Sequence, residues 1–199
     1  RRRPLSRHPA IGLVASALRI ASEDFSNSDI FAYLKTDLVP VERIDVDLLE
    51  NYCLAFGITA SDWLSEKKWG FAGAESEEFD EKRINEIRRV VAEPLLELRE
   101  KLNSTEEDNR ISVEQFGSAV FDLLARLEVC ETIAAWIERA SLRGDNASVD
   151  EHRQFYEKLV DVFEELAEVF AETVLSADDF GAIIGSAFSQ LTLAFIPPK

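Results

Sequence analysis

The sequence has no methionine, only two cysteines (Cys53 and Cys130) and only two histidines (His8 and His152) among 199 residues. Each scarcity excludes something. Two cysteines cannot build a disulfide framework. Both sit inside apolar helical patterns, so both are read as buried free thiols, which fits a reducing, cytoplasmic setting. Neither histidine has a second ligand at helical spacing, so a zinc site lacks its donors. His8 precedes Pro9 and is read as a capping or packing residue. Long apolar runs are missing too. Stretches such as Ile11 to Ala15 fall far short of the roughly 20 residues that span a bilayer, so no membrane partner is expected. Arg1 to Arg3 are followed by Pro4, with no long apolar region and no small-residue cleavage site, so no secretory signal is read. With no methionine even at position 1, a triple arginine at one end and Ile196 to Lys199 at the other, the expectation is a piece of a longer protein.

Basic residues are scarce relative to acids: 22 against 38, for a formal net charge of −16. Affinity for a phosphate backbone is normally built on lysine and arginine, so the charge argues against wholesale nucleic-acid binding and leaves room for a small basic patch. The motifs of catalysis are lacking as well. There is no glycine-rich phosphate loop ending in Lys-Ser or Lys-Thr, and no Gly-x-Ser-x-Gly elbow. Ser65-Glu66-Lys67-Lys68 fits Ser-x-x-Lys, but its companion motifs are missing. No catalytic or metal-binding residue is assigned, and no cofactor is expected on this chain.

What is present is helical spacing. Ile84, Ile87, Val91, Leu95, Leu98 and Leu102 form one stripe at steps of three and four. Pro94 lies within it and predicts a kink or break near residues 90–93. Further stripes run through Phe116 to Leu127, Phe155 to Phe170 and Phe180 to Phe188. Ser112-Val113-Glu114-Gln115 and Ser148-Val149-Asp150-Glu151 read as capping boxes. Gly57 and Gly144 read as helix stops. The fold class is all-α. About nine helices are predicted, near 9–22, 27–36, 42–57, 61–66, 79–102, 112–128, 130–143, 148–172 and 177–189. Leu191 to Ile196 alternates weakly, which allows one short strand at the exit; no stretch between suggests paired strands. Glu157, Asp161, Glu164, Glu165, Glu168 and Glu172 make a strongly acidic outer face, read as solvated rather than as an ion site.

One loop stands out. Lys67, Lys68, Trp69 and Phe71 place two cations beside two aromatics around Gly70, a combination that can grip a nucleic-acid backbone and stack on a base. These four are the candidate nucleic-acid contacts. The other reading is that Trp69 and Phe71 anchor the loop to the core while the lysines are solvated, the commoner use of loop aromatics. Lys82, Arg83, Arg88 and Arg89 form a second basic cluster, spread over more than one helix face and read as solvated, with neighbouring glutamates as partners.

Three stretches taken together resemble a known family. They are Arg3-Pro4-Leu5-Ser6-Arg7-His8-Pro9 leading into Leu13 to Leu18; Asp29 to Pro40 followed by Asp47 to Ile58, with their Leu-Lys-Thr and Leu-Glu-Asn-Tyr segments; and Leu191 to Pro198. Their order and spacing resemble the B subunit of the bacterial AddAB-type ATP-dependent helicase–deoxyribonuclease, called RexB in some lineages. Arg7 departs from the pattern, standing where the family often has a second histidine. The resemblance implies that residues 1–22 edge the second RecA-like motor domain, that 23–190 are a helical insertion comparable to the 2B domain of superfamily 1 helicases, and that 191–199 return to the motor. It implies a role in processing DNA double-strand ends for recombinational repair. The implied partners are the A subunit and duplex or forked DNA. It implies ATP, magnesium and an iron–sulfur cluster for the parent complex, none of them held by this segment. From the residues alone, an acidic helical protein-interaction scaffold without DNA contact is the alternative.

Overall fold

Apolar residues at steps of three and four dictate helices, and the computed structural model of the chain contains nine of them among the residues it describes, 3–4, 8–70, 79–103, 110–190 and 192–193. They are α1 (Pro9–Ser22), α2 (Asn27–Leu34), α3 (Arg43–Phe56), α4 (Ala60–Leu64), α5 (Glu81–Leu102), α6 (Val113–Arg126), α7 (Val129–Leu142), α8 (Asn146–Val169) and α9 (Ala177–Gln190). The fold is all-α apart from two-residue strands: β1 (Arg3–Pro4), β2 (Ile111–Ser112), β3 (Val174–Leu175) and β4 (Thr192–Leu193). Among the described residues no helix is long and apolar enough to cross a membrane.

The centre of the molecule is α1. Its buried residues, Ala10, Ile11, Leu13, Val14, Ser16, Ala17, Leu18, Ile20 and Ala21, cover most of its circumference. A helix apolar nearly all round must be packed on several sides, and α2, α5 and α9 all lie against it. Helix α5 continues the stack onto α3 and α6, and α6 carries α7, α8 and α9. The core is one continuous cluster that includes Phe116, Phe155 and Phe180, none of them measurably exposed. Phe116 stacks on Phe180 at 5.0 Å between centroids.

Helix starts follow local chemistry. The Ser26 hydroxyl accepts from the Asp29 N–H at 3.1 Å. The Asp80 carboxylate accepts from the N–H groups of Lys82 and Arg83 at 3.0 and 3.2 Å. At α6 the capping box is reciprocal: Gln115 N–H donates to Ser112 Oγ at 3.2 Å, and Ser112 N–H donates to Gln115 Oε1 at 2.9 Å. Ser112→Ala removes one side of that exchange and is expected to lower stability by about 1 kcal/mol, read from the urea midpoint. Helix α3 stops where Gly57 takes a left-handed φ of 60°, which costs glycine little.

Four expectations need correction. Ser148 does not cap α8: the cap is Asp145, whose carboxylate accepts the Ser148 N–H at 3.2 Å. Of the kink or break expected at Pro94, the break does not occur: α5 runs unbroken from Glu81 to Leu102 with Pro94 itself buried. The missing N–H is outweighed because Val91, Leu95 and Leu98 are buried on both sides of it, against elements that α5 packs on. Paired strands do occur inside the chain. Ile111 faces Leu175 and Ser112 faces Val174 in an antiparallel pair, while the exit strand β4 pairs with β1, Arg3 facing Leu193 and Pro4 facing Thr192. Strands of two residues have no alternation to read. Finally, Cys53 is buried, but Cys130 is exposed. The buried stripe of α7 runs through Val129, Ile133 and Ala140. Cys130 is one residue, and so about 100°, away from it.

Candidate nucleic-acid interface and the buried groups behind it

The loop after α4 is built by an arginine. Arg88 sits in the third turn of α5 and is only 8% exposed. Its Nη1 donates to the Lys67 carbonyl at 2.7 Å. Its Nη2 donates to the carbonyls of Asp62 at 2.8 Å, Trp63 at 3.3 Å and Ser65. The guanidinium carbon lies 4.7 Å from the centroid of the Trp69 ring. Burial disfavours the charge on Arg88, and the nearby Asp62 carboxylate works in the opposite sense. Thr59 holds Asp62 below the usual carboxylate range, its N–H and its hydroxyl each donating to the same oxygen at 2.8 Å. The sequence places Arg88 on a solvated face. The structure corrects this: it is a buried fork that gathers four carbonyls.

Asn85, one turn earlier on α5, completes the bracing. Its Oδ1 accepts the Trp69 N–H and its Nδ2 donates to the Trp69 carbonyl, both at 2.8 Å. The Trp69 indole N–H reaches the Asp62 carbonyl at 3.1 Å. Its ring packs among Tyr52, Trp63 and Arg88 and is 3% exposed. The structure thus separates the candidate contacts. Trp69 is an anchor whose ring is enclosed by the core. Lys67 and Lys68 are exposed beside it. Phe71 lies outside the described residues. The rest of the basic cluster divides as well: Arg83 pairs with Asp45, Nε donating at 2.8 Å, Arg89 lies 3.4 Å from Glu93, and Lys82 is exposed.

A second buried polar group has no signature in the sequence because its members are 144 residues apart. His8 is 1% exposed and stacks on Phe155, centroids 4.2 Å apart and planes 3° apart. Its Nδ1 accepts the Ala10 N–H at 3.2 Å, capping α1. A neutral imidazole has one donor and one acceptor nitrogen, so the proton of His8 is on Nε2. That N–H points at Nδ1 of His152, 3.0 Å away. His152 must then carry its own proton on Nε2. Burial is the main cause holding both rings in the neutral form, with His8 pushed down to about 3. This bears out the capping and packing role expected of His8 and adds its partner.

No family model matches the chain. Individual proteins do. Over the whole of this chain it is 35% identical to the B subunit of the ATP-dependent helicase/deoxyribonuclease of Moorella thermoacetica. It is 33% identical, again over the whole chain, to the protein of the same name from Desulforudis audaxviator. The Pelotomaculum thermopropionicum protein of that name matches at 33% over 99% of the chain. The chain belongs to the family of ATP-dependent helicase/deoxyribonuclease B subunits. It spans about 18% of the length of these relatives. The match runs from end to end, so the whole helical body, including the loop braced by Arg88 and the His8–His152 pair, lies within sequence shared with the helicase/deoxyribonuclease B subunits. Sequence reasoning missed the role of Arg88 in this B-subunit segment, although one signal was there. Arg88 is four residues after Ile84 and three before Val91, a position on the margin of the buried stripe.

Proposed function

We propose that this chain is a helical accessory domain of an ATP-dependent helicase/deoxyribonuclease B subunit, comparable to a 2B-type insertion, acting where DNA double-strand ends are processed for homologous recombination. The observation that carries the reading is the end-to-end match to proteins about five times longer. The pairing of β1 with β4 supports it, because the chain enters and leaves the helical body side by side, as an inserted domain must. Residues 1–22 and 191–199 are taken as the junction with a RecA-like motor domain. Because α1 is the centre of the helical core, that junction is a continuous packed one, and the body moves with whatever its first helix is attached to. The A subunit and forked or duplex DNA are the partners of the parent assembly in this reading. ATP and magnesium chemistry is assigned elsewhere in the parent. The iron–sulfur cluster does not fit this segment: a cluster takes four thiolates, and the chain has Cys53, buried on α3, and Cys130, exposed on α7.

Direct DNA contact, in this proposal, falls to Lys67 and Lys68, which the Arg88 fork presents on a rigid loop. Base stacking by Trp69 is not part of it. Fluorescence anisotropy with a forked duplex tests this across low to moderate salt. The chain is expected to bind at low salt. Lys67→Ala with Lys68→Ala is expected to weaken binding about tenfold and to reduce the salt slope by about 1–2. Absence of binding at low salt favours the second reading, an acidic protein-interaction scaffold without DNA contact. The strong excess of acids that follows Arg153 supports that alternative.

A further inference from the structure

Helices α8 and α9 leave an apolar groove between them. Val162 and Leu166 lie deepest, 5% and 6% exposed. Val169, Phe170, Ile183 and Ala187 complete the lining, and Glu165 stands on the edge. The groove encloses about 480 Å³. Val169 is 65% exposed, an unusual place for a β-branched aliphatic residue on a helix. A single exposed valine would mean nothing. Here it continues a stripe, Val162, Leu166 and Val169, whose spacing puts all three on one side of α8.

The surroundings of the groove carry one sign. Between residues 154 and 190 the sequence has eight acids, Glu157, Asp161, Glu164, Glu165, Glu168, Glu172, Asp178 and Asp179, and a single base, Lys158. Lys158 is engaged with Asp161 at 2.6 Å. Asp161, Glu165 and Glu168 follow one another at steps of four and three, so they form an acidic edge beside the apolar stripe. Such an edge repels phosphate backbones and acidic segments and attracts cations. The groove itself rewards apolar side chains presented at helical spacing.

We propose that this groove docks an amphipathic helical segment of another polypeptide, its apolar face set between α8 and α9 and its lysines or arginines against Glu165 and Glu168. The surface is on other elements than Lys67 and Lys68, so the proposal stands or falls independently of DNA contact. The occupant is defined by both features together: an apolar helix face alone would leave the acids without counter-charge, and a basic segment alone would leave the groove exposed.

The test uses the chain itself and a labelled peptide of about 18 residues, leucine and lysine arranged so that leucine lines one helical face. A scrambled peptide of the same composition is the comparison, in salt near 0.15 M. The patterned peptide is expected to bind at least about tenfold more tightly than the scrambled one. Val169→Lys is expected to weaken it about tenfold or more, as is Glu165→Lys with Glu168→Lys. Glu66→Lys with Glu100→Lys makes the same charge change on exposed positions away from the groove and is expected to leave affinity within about twofold. The glutamate pair is on the exposed edge, so it keeps the test decisive should Val169→Lys disturb folding, which circular dichroism reads. The proposal is overturned if the two peptides bind alike, if the parent chain binds neither, or if the distant glutamate pair matters as much as the pair beside the groove.

Discussion

Arg88→Ala is expected to destabilise the protein by about 3–5 kcal/mol. The reason is the carbonyls it would abandon. Lys67, Asp62, Trp63 and Ser65 all direct backbone oxygens at one guanidinium. Hydrogen bonds to a charged donor contribute more than neutral ones, and a buried carbonyl left without a partner adds its own desolvation cost. The lost contact with Trp69 adds packing and cation–π terms. Arg88→Lys tests geometry against charge. An ammonium keeps the charge but cannot fork, so it can serve only part of the set, and a loss of about 2 kcal/mol or more is expected. Urea unfolding followed by tryptophan fluorescence reads both variants, with Trp63 and Trp69 beside the substitution. A loss below about 1 kcal/mol for Arg88→Ala would mean that water replaces the guanidinium freely and that the loop is not built by it. In the proposed DNA-binding role, the same variant is also expected to blunt the contribution of Lys67 and Lys68, because their backbone would no longer be held.

The second large effect is on pH dependence. His8 is neutral in the folded state, pushed down to about 3, and returns to the ordinary 6.5 when the chain unfolds. His152 is lowered in the same direction. Below 6.5 the unfolded state therefore binds protons that the folded state refuses. Stability is fully present above 6.5 and is lost as pH falls from there towards the folded-state value. Between about pH 6.5 and pH 5, His8 alone is expected to cost about 2 kcal/mol. The carboxylates of Glu151 and Asp145 near His152 oppose its burial and moderate its share. His8→Asn keeps a side-chain acceptor for the start of α1 but has no group to titrate. It is expected to be less stable at neutral pH, through loss of the Phe155 stack, yet to lose about 2 kcal/mol less on acidification to pH 5. Urea unfolding at three pH values measures this. An unchanged slope would show that the pair does not hold His8 neutral.

These two features mark the boundary of what sequence can disclose. Ranges of all nine helices come close, because stripes such as Ile84 to Leu102 and boxes such as Ser112 to Gln115 act over three or four residues and can be read locally. Pro94 does not end α5, because its local cost has to be weighed with the burial on either side of it. Cys130 misleads because an apolar neighbour, Val129, does not fix which way the next side chain points. The pairing of His8 with His152, and of Ile111–Ser112 with Val174–Leu175, has no local signature at all: it follows from how α8 and its following turn fold back on the rest. At the candidate interface the sequence identifies the loop and leaves two roles open for its aromatics. Choosing between them for Trp69 requires Arg88 and Asn85, residues from an element 16 or more positions further on.

The β1–β4 pair also determines how the body bears mechanical load. Arg3–Pro4 lies against Thr192–Leu193, so tension applied through these two strands is taken first by that ladder. The nine helices lie outside the load path until it parts. Below that threshold the internal packing of the helices is not stretched.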